Sequence, residues 1–149
     1  MNVNIRNASK EDLPVIISLI HEFAAFQQTP QKVAITLEQM QAETNLFQCL
    51  VAENEAGEIL GFASFFFAYY SWTGKALYLD DLYVTANYRK LNIGSGLINA
   101  VIDLAKAENC KKVKWQVSQW NENAINFYKK MGAVIDNTEI NCDLDLSKN

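Results

Sequence analysis

The amino-terminal residues Val3-Asn4-Ile5-Arg6 alternate apolar with polar side chains, as a half-buried strand does. Ser9 and Asp12 then give a capping-box-like start to a helix expected to run to about Phe26, with Pro14 in its tolerant opening turn. Leu13, Ile16, Ile17, Ile20, Phe23 and Ala24 recur at helical spacing and mark its buried face. A polar passage from Gln27 to Lys32 leads to Thr36-Leu37-Glu38-Gln39, a second capping box, which predicts a short helix ending near Asn45. Cys49 to Glu53 reads as a strand, Asn54-Glu55-Ala56-Gly57 as a turn, and the apolar run Ile59 to Tyr69 as the antiparallel return. After a second turn at Ser71-Trp72-Thr73-Gly74, Ala76 to Val84 is a strongly apolar strand interrupted only by Asp80 and Asp81.

Helical spacing resumes from Ser95 to about Glu108, with Leu97, Ile98, Val101, Ile102 and Ala105 on one stripe. Lys112 to Val117 alternates as a strand, and Asn121 or Asn123 caps a further helix through Lys130. Gly132 lies where a helix C-terminal glycine belongs, and one or two strands are expected to finish the chain. The predicted order is β-α-α-β-β-β-α-β-α-β, an α/β (α+β) class. With no internal repeat or low-complexity tract, residues 1–149 are expected to form a single domain.

Composition narrows the function classes. A chain of 149 residues with 50% hydrophobic and 20% charged residues is that of an ordinary globular protein. The net charge of -4 argues against nucleic acid as a partner, because phosphate binding draws on clustered Lys and Arg, and it suits cationic small molecules. Cys49, Cys110 and Cys142 are odd in number and widely spaced, so they are expected as free thiols in a reducing compartment, with no metal site. The chain start lacks a signal-peptide pattern, and the apolar run Phe62 to Tyr70 is far shorter than the ~20 residues of a membrane helix. A soluble cytoplasmic protein without membrane contact is the expectation.

The chemistry concentrates in Tyr88-Arg89-Lys90-Leu91-Asn92-Ile93-Gly94-Ser95-Gly96, between a predicted strand and a predicted helix. A turn of this kind aims backbone N–H groups and a helix N-terminus at one point, which binds a pyrophosphate. The full G-x-G-x-x-G pattern and the Gly-Lys-Ser/Thr of a P-loop are both absent, so dinucleotide and NTPase readings fare poorly. The chain here resembles the GNAT acetyltransferase superfamily, whose loop reads Arg/Gln-x-x-Gly-x-Gly/Ala. Arg89, Asn92 and Gly94 take those places, with asparagine, the non-glycine residue that best accepts positive φ, for the first glycine.

The resemblance runs over nearly the whole chain and comes nearest the diamine (spermidine/spermine) acetyltransferase branch. It is carried by Trp72-Thr73-Gly74-Lys75, by Tyr78 to Val84, by Asn87-Tyr88-Arg89, and by Trp120-Asn121-Glu122 followed by Ala124 to Ala133. It implies one domain with a central mixed, mostly antiparallel sheet of six to seven strands flanked by about four helices. It also implies acetyl-CoA as the acetyl donor, a small-molecule amine as acceptor, and a homodimer with the C-terminal strands and the loop around Trp72 near the interface.

Residue by residue, the resemblance implies that the backbone from Leu82 through Tyr83 to Val84 pairs with the pantetheine arm where neighbouring strands splay apart. Arg89, Lys90, Leu91, Asn92, Ile93, Gly94, Ser95 and Gly96 would hold the pyrophosphate, assisted by Asn121 and Asn126. Tyr128 matches the tyrosine that protonates the coenzyme A thiolate, against the plainer role of a core aromatic beside Phe127. Asp80 takes the place of the branch's glutamate, which receives the amine proton through water; a cross-sheet salt bridge is the plainer role, and Asp81 could exchange with it. A buried strand carboxylate is expensive without a task or partner, which supports a functional Asp80 independently. Phe26, Gln27, Trp72 and Glu139 complete the acceptor site, whose missing acids favour a diamine or lysine analogue over long polycations. His21 is expected at the surface. The alternatives are a protein or peptide N-acetyltransferase and a non-catalytic acyl-CoA-binding module, which would need neither Tyr128 nor Asp80.

Overall fold

The computed structural model describes residues 2–147. The chain divides into two compact units, Met1–Trp115 and Gln116–Asn149. In the first, β1 (Val3–Asn7), β2 (Gln48–Asn54), β3 (Ile59–Tyr70), β4 (Gly74–Val84) and β5 (Val113–Lys114) lie side by side in chain order. The first four are antiparallel and β5 runs parallel to β4. The helices of this unit are α1 (Leu13–Phe26), α2 (Leu37–Ala42) and α3 (Ile93–Ala107).

Alternation along the strands gives each sheet face its own cover. Cys49, Val51, Phe62 and Tyr83 pack with Leu13, Ile16 and Leu19 of α1 and Met40 of α2. Ile5 pairs with Ala52, the neighbour of Val51, and so points to the opposite face, where α3 lies. There Leu97, Ile98, Val101 and Ala105 are buried, and a Cβ on Gly96 would come within 3.0 Å of Ile5 Cδ1. Each buried leucine, isoleucine or valine here stabilises the fold by roughly 1.5–3 kcal/mol through the apolar surface it removes from water.

The turns form as their residue types dictate. Thr36 Oγ1 accepts from the Gln39 N–H at 3.1 Å, and Asn54 Oδ1 accepts from the N–H groups of Ala56 and Glu58. At the start of α1, Asp12 Oδ2 accepts from both the N–H and the hydroxyl of Ser9. The same carboxylate meets Arg6 of β1 at 2.7 Å, and Arg6 Nε reaches Glu53 of β2 at 2.9 Å. One guanidinium thus pins a helix start to two strands.

Three sequence expectations are corrected. The sheet has five strands among the described residues, not six to seven. The strand expected over Lys112–Val117 pairs only at Val113 and Lys114, because β4 carries a bulge at Asp80, just beyond the paired residues Leu77 and Tyr78, and a bulge twists a strand out of its ladder. The expected C-terminal strands are absent among the described residues. Alternation assigns sides but supplies no ladder, and Ile140, Leu144 and Leu146 stay exposed. Smaller differences are that α2 stops at Ala42 rather than near Asn45, and that α1 buries Leu19, which the predicted stripe omitted.

The second unit holds α4 (Glu122–Lys130), capped by Asn121, whose Oδ1 accepts from the Ala124 N–H at 3.2 Å. It is followed by Gly132 at φ 93°, as expected of a helix-ending glycine.

Arg6 holds the Asp12 carboxyl at about 2, against an ordinary value of 3.8. Asp12→Asn is therefore expected to cost roughly 1–3 kcal/mol at pH 7, the worth of charge-assisted hydrogen bonds. That contribution is fully present above pH ~4 and lost as pH falls through about 2. Urea unfolding of the two proteins should therefore converge in acid.

Candidate active site

The two acids expected at the site, Asp80 and Asp81, lie on β4, whose irregularity decides their register. Opposite β3, Ser64 pairs with Asp81 and Phe65 with Leu79, so Asp80 is the extra residue of a bulge. Leu77, Leu79 and Leu82 share one face through their partners Phe67, Phe65 and Ala63, and Asp81 joins Tyr83 on the face that α1 covers. The Asp81 N–H donates to Ser64 Oγ at 3.2 Å. Asp80 is exposed and Asp81 half-buried, so Asp81, not Asp80, is the more buried acid of the pair. Burial, then the Asp80 charge, pushes the Asp81 carboxyl up to about 6, while crowding by protein atoms raises Asp80 as well.

Beyond β4 the chain makes a 3-10 turn at Ala86–Tyr88 and enters the loop. Lys90 and Asn92 both adopt left-handed backbone, at φ 67° and 62°, which turns the peptide groups before α3. Asparagine at 92 accepts this conformation as expected; lysine at 90 carries no such signal and could not be read from its residue type. The first intrahelical bond runs from the Gly96 N–H to the Asn92 carbonyl, so the N–H groups of Ile93, Gly94 and Ser95 lie ahead of it at the positive end of the helix.

The glycines here differ in purpose. Gly96 gives the room that Ile5 occupies, so its small size serves helix–sheet packing. At Gly94 the backbone is helical and a Cβ would meet only Val84 Cγ2, at an ordinary 3.9 Å. Neither packing nor backbone strain asks for glycine at 94, although glycine inside a helix costs up to ~1 kcal/mol relative to alanine. What glycine leaves is an uncovered peptide.

Arg89 does not extend freely from this loop. Its Nε donates to the Val84 carbonyl at 3.0 Å, and its guanidinium lies 4.5 Å from the Phe26 ring centroid and 5.3 Å from that of Tyr83. Phe26, expected beside the acceptor, is thus in contact with the loop. Gln27 follows it as the residue ending α1. Trp72 stands at the β3–β4 turn, 97% exposed, and six strand residues, roughly 20 Å, separate that turn from Asp80. A cavity of about 350 Å³ bordered by Ser9, Lys10, Phe47 and Cys49 includes none of the expected site residues. Cys49 is buried there and its thiol is pushed up to about 12, an inert group. His21 is exposed, as expected.

In the second unit, Asn121 uses its side-chain oxygen as the α4 cap, Asn126 and Glu139 are exposed, and Tyr128 is half-buried with its ring 5.4 Å from that of Phe127. Burial pushes the Tyr128 phenol up from its ordinary range, so at neutral pH it holds its proton.

Because folding raises the Asp81 carboxyl from 3.8 to about 6, the folded state resists its ionisation, and this residue's effect on stability turns unfavourable as pH rises from about 4 to 6. Asp81→Asn is expected to flatten that decline, by roughly 1–2 kcal/mol allowing for partial exposure. Thermal melts across this pH range check it.

Comparison with known proteins now bears on the site. Thialysine N-epsilon-acetyltransferase of Mus musculus is 34% identical over 89% of this chain and 84% of its own length. The spermidine/spermine N(1)-acetyltransferase-like protein 1 of Homo sapiens is 36% identical over 87% of this chain and 20% of its own length. An aminoglycoside acetyltransferase from an uncultured soil metagenomic sample, solved with trehalose, shares the fold at a TM-score of 0.79 and 23% identity, over 97% of this chain and 96% of that one. The model of the acetyltransferase (GNAT) family matches residues 12–133, taking in β4, the Arg89–Gly96 loop and Tyr128, and the chain belongs to that family.

Proposed function

We propose that this acetyltransferase moves the acetyl group of acetyl-CoA to the primary amine of a small molecule, a diamine, polyamine or lysine analogue, by direct attack in a ternary complex. The observation that carries the donor half is Gly94, a glycine that the fold does not require, set among free N–H groups at the start of α3. A pyrophosphate is the ligand that such a peptide surface suits. Leu82, Tyr83 and Val84 would meet the pantetheine arm, and β4 supports this by having no strand on its outer edge beyond Tyr78 among the described residues. Asn121 and Asn126 would add polar contacts to the cofactor.

In the reaction, the amine nitrogen forms a bond to the thioester carbonyl carbon and the carbon–sulfur bond breaks. The proton leaving the amine passes through water to Asp80, or to Asp81, whose raised carboxyl suits a proton acceptor near neutrality. The departing thiolate takes its proton from Tyr128, which its raised phenol keeps available. Two adjacent carboxylates would attract a cationic acceptor before one of them takes its proton and leaves the neutral amine. Phe26, Gln27, Trp72 and Glu139 are proposed as further acceptor contacts, and the thialysine acetyltransferase relatives favour a short amine over a long polycation.

The chain is proposed to act as one transferase domain over residues 1–149, supported by a family match that enters both compact units. A homodimer goes with this reading, supported by the exposed Tyr69 and Trp72 of the β3–β4 hairpin and by the exposed C-terminal Ile140, Leu144 and Leu146. So does a cytoplasmic location, supported by three free cysteines.

Acetyl-CoA consumption measured across putrescine, spermidine, thialysine and lysine-containing peptides tests the substrate class. A diamine or lysine analogue is expected to release coenzyme A fastest. Preference for peptides would favour the protein-acetyltransferase reading, and no acceleration by any amine would leave a binding module. Tyr128→Phe is expected to lower turnover by roughly 10²-fold or more, the usual worth of a general acid, with acetyl-CoA affinity little changed; equal turnover removes Tyr128 from the reaction. Light scattering at assay concentration should give twice the 16.9 kDa chain mass, and a monomer would sink the dimer.

A further inference from the structure

The last turn of α1 is built around aromatic and acidic side chains that reach across to β4 and the loop after it. Glu22, Phe23 and Phe26 lie at helical spacing at the end of α1. Glu22 accepts from the Tyr83 hydroxyl at 2.6 Å, and Phe23 stacks on the Tyr83 ring with centroids 5.0 Å apart and planes 20° from parallel. Burial, then the Glu22 carboxylate, pushes the Tyr83 phenol up to about 12, so this hydroxyl remains a donor. Tyr83 is thereby fixed as one aromatic surface. Phe26 supplies a second, and the Arg89 guanidinium contacts both while its Nε holds the Val84 carbonyl.

Arg89 is the residue just before the two left-handed positions Lys90 and Asn92. A side chain disfavours that conformation, at Lys90 more than at Asn92, so the loop needs anchoring at both ends to keep its N–H groups aimed. At its far end the anchor is α3 itself. At its near end Arg89 is attached, among the described residues, to the Val84 carbonyl and the two rings.

We propose that Phe26 is a positioning residue for the pyrophosphate loop, acting through Arg89, in addition to the acceptor contact proposed for it. The end of α1 thereby becomes part of the donor site's support, and an aromatic face at 26, not merely bulk, is what the loop requires. This rests on the reading of residues 89–96 as the coenzyme A site.

The test is calorimetric binding of coenzyme A to the full chain and to Phe26→Leu, Phe26→Trp, Arg89→Gln and the double variant Phe26→Leu/Arg89→Gln, each shown folded by its thermal melt. A partly exposed cation–aromatic contact predicts that Phe26→Leu weakens coenzyme A binding on the order of threefold. Phe26→Trp should restore wild-type affinity, and Phe26→Leu should add nothing in the Arg89→Gln background, because the partner is gone. Additive losses from the two single variants would overturn the proposal, as would unaltered coenzyme A affinity in Phe26→Leu with a raised KM for the amine. If the wild-type chain itself does not bind coenzyme A, the donor-site reading fails, and this inference with it; that result is distinct from binding with additive losses.

Discussion

β4 has two unlike edges, and the proposed coenzyme A site depends on the difference. Toward β3 it is paired from Gly74 to Val84, interrupted only by the bulge, which holds its backbone rigid. Toward β5 the ladder involves only Leu77 and Tyr78. A strand that is fixed on one side and unpaired on the other offers ordered N–H and C=O groups without a second strand to consume them. The Asp80 bulge is a second feature of this strand. It shifts the phase of the strand by one residue, so that leucines serve one face before it and after it, while Asp81 and Tyr83 reach the face beneath α1.

The same strand leads directly into the loop that ends at α3. Helix start, Arg89 and Lys90 put positive charge there, whereas the two aspartates put potential negative charge a few residues upstream on β4. The arrangement suits a reaction between an anionic donor and a cationic acceptor. Burial raises the Asp81 carboxyl to about 6, close enough to neutrality for it to take up and release a proton. The support comes from α1, through the Phe23–Tyr83 stack, the Glu22 hydrogen bond and the Arg89–Phe26 contact. The Arg6–Asp12–Glu53 cluster secures the other end of that helix. α1 is therefore fastened at its start by ion pairs and at its end by aromatic contacts, and the sheet face between is filled by Ile16, Leu19 and Phe62.

What the sequence by itself determined were the features that depend on neighbours in the chain. The first long helix to Phe26, the helix expected from Ser95 to about Glu108 and found at Ile93–Ala107, the helix ending at Lys130, the caps at Thr36 and Asn121, the turn at Asn54 and the positive φ at Asn92 all follow from local periodicity or from the hydrogen-bonding reach of one side chain. The family resemblance was legible for the same reason, because the loop chemistry is contiguous from Tyr88 to Gly96. Only the tertiary structure decided matters that need a distant partner. The bulge at Asp80 exists only against Ser64 and Phe65 of the neighbouring strand. The strand at 113–114 is short because its length is set by β4, and alternation at Ile140–Leu146 made no strand because no ladder met it. Arg89 could be read as a loop residue, but its contact with Phe26 joins residues 63 positions apart in the chain, and no local pattern encodes which aromatic face a guanidinium will find.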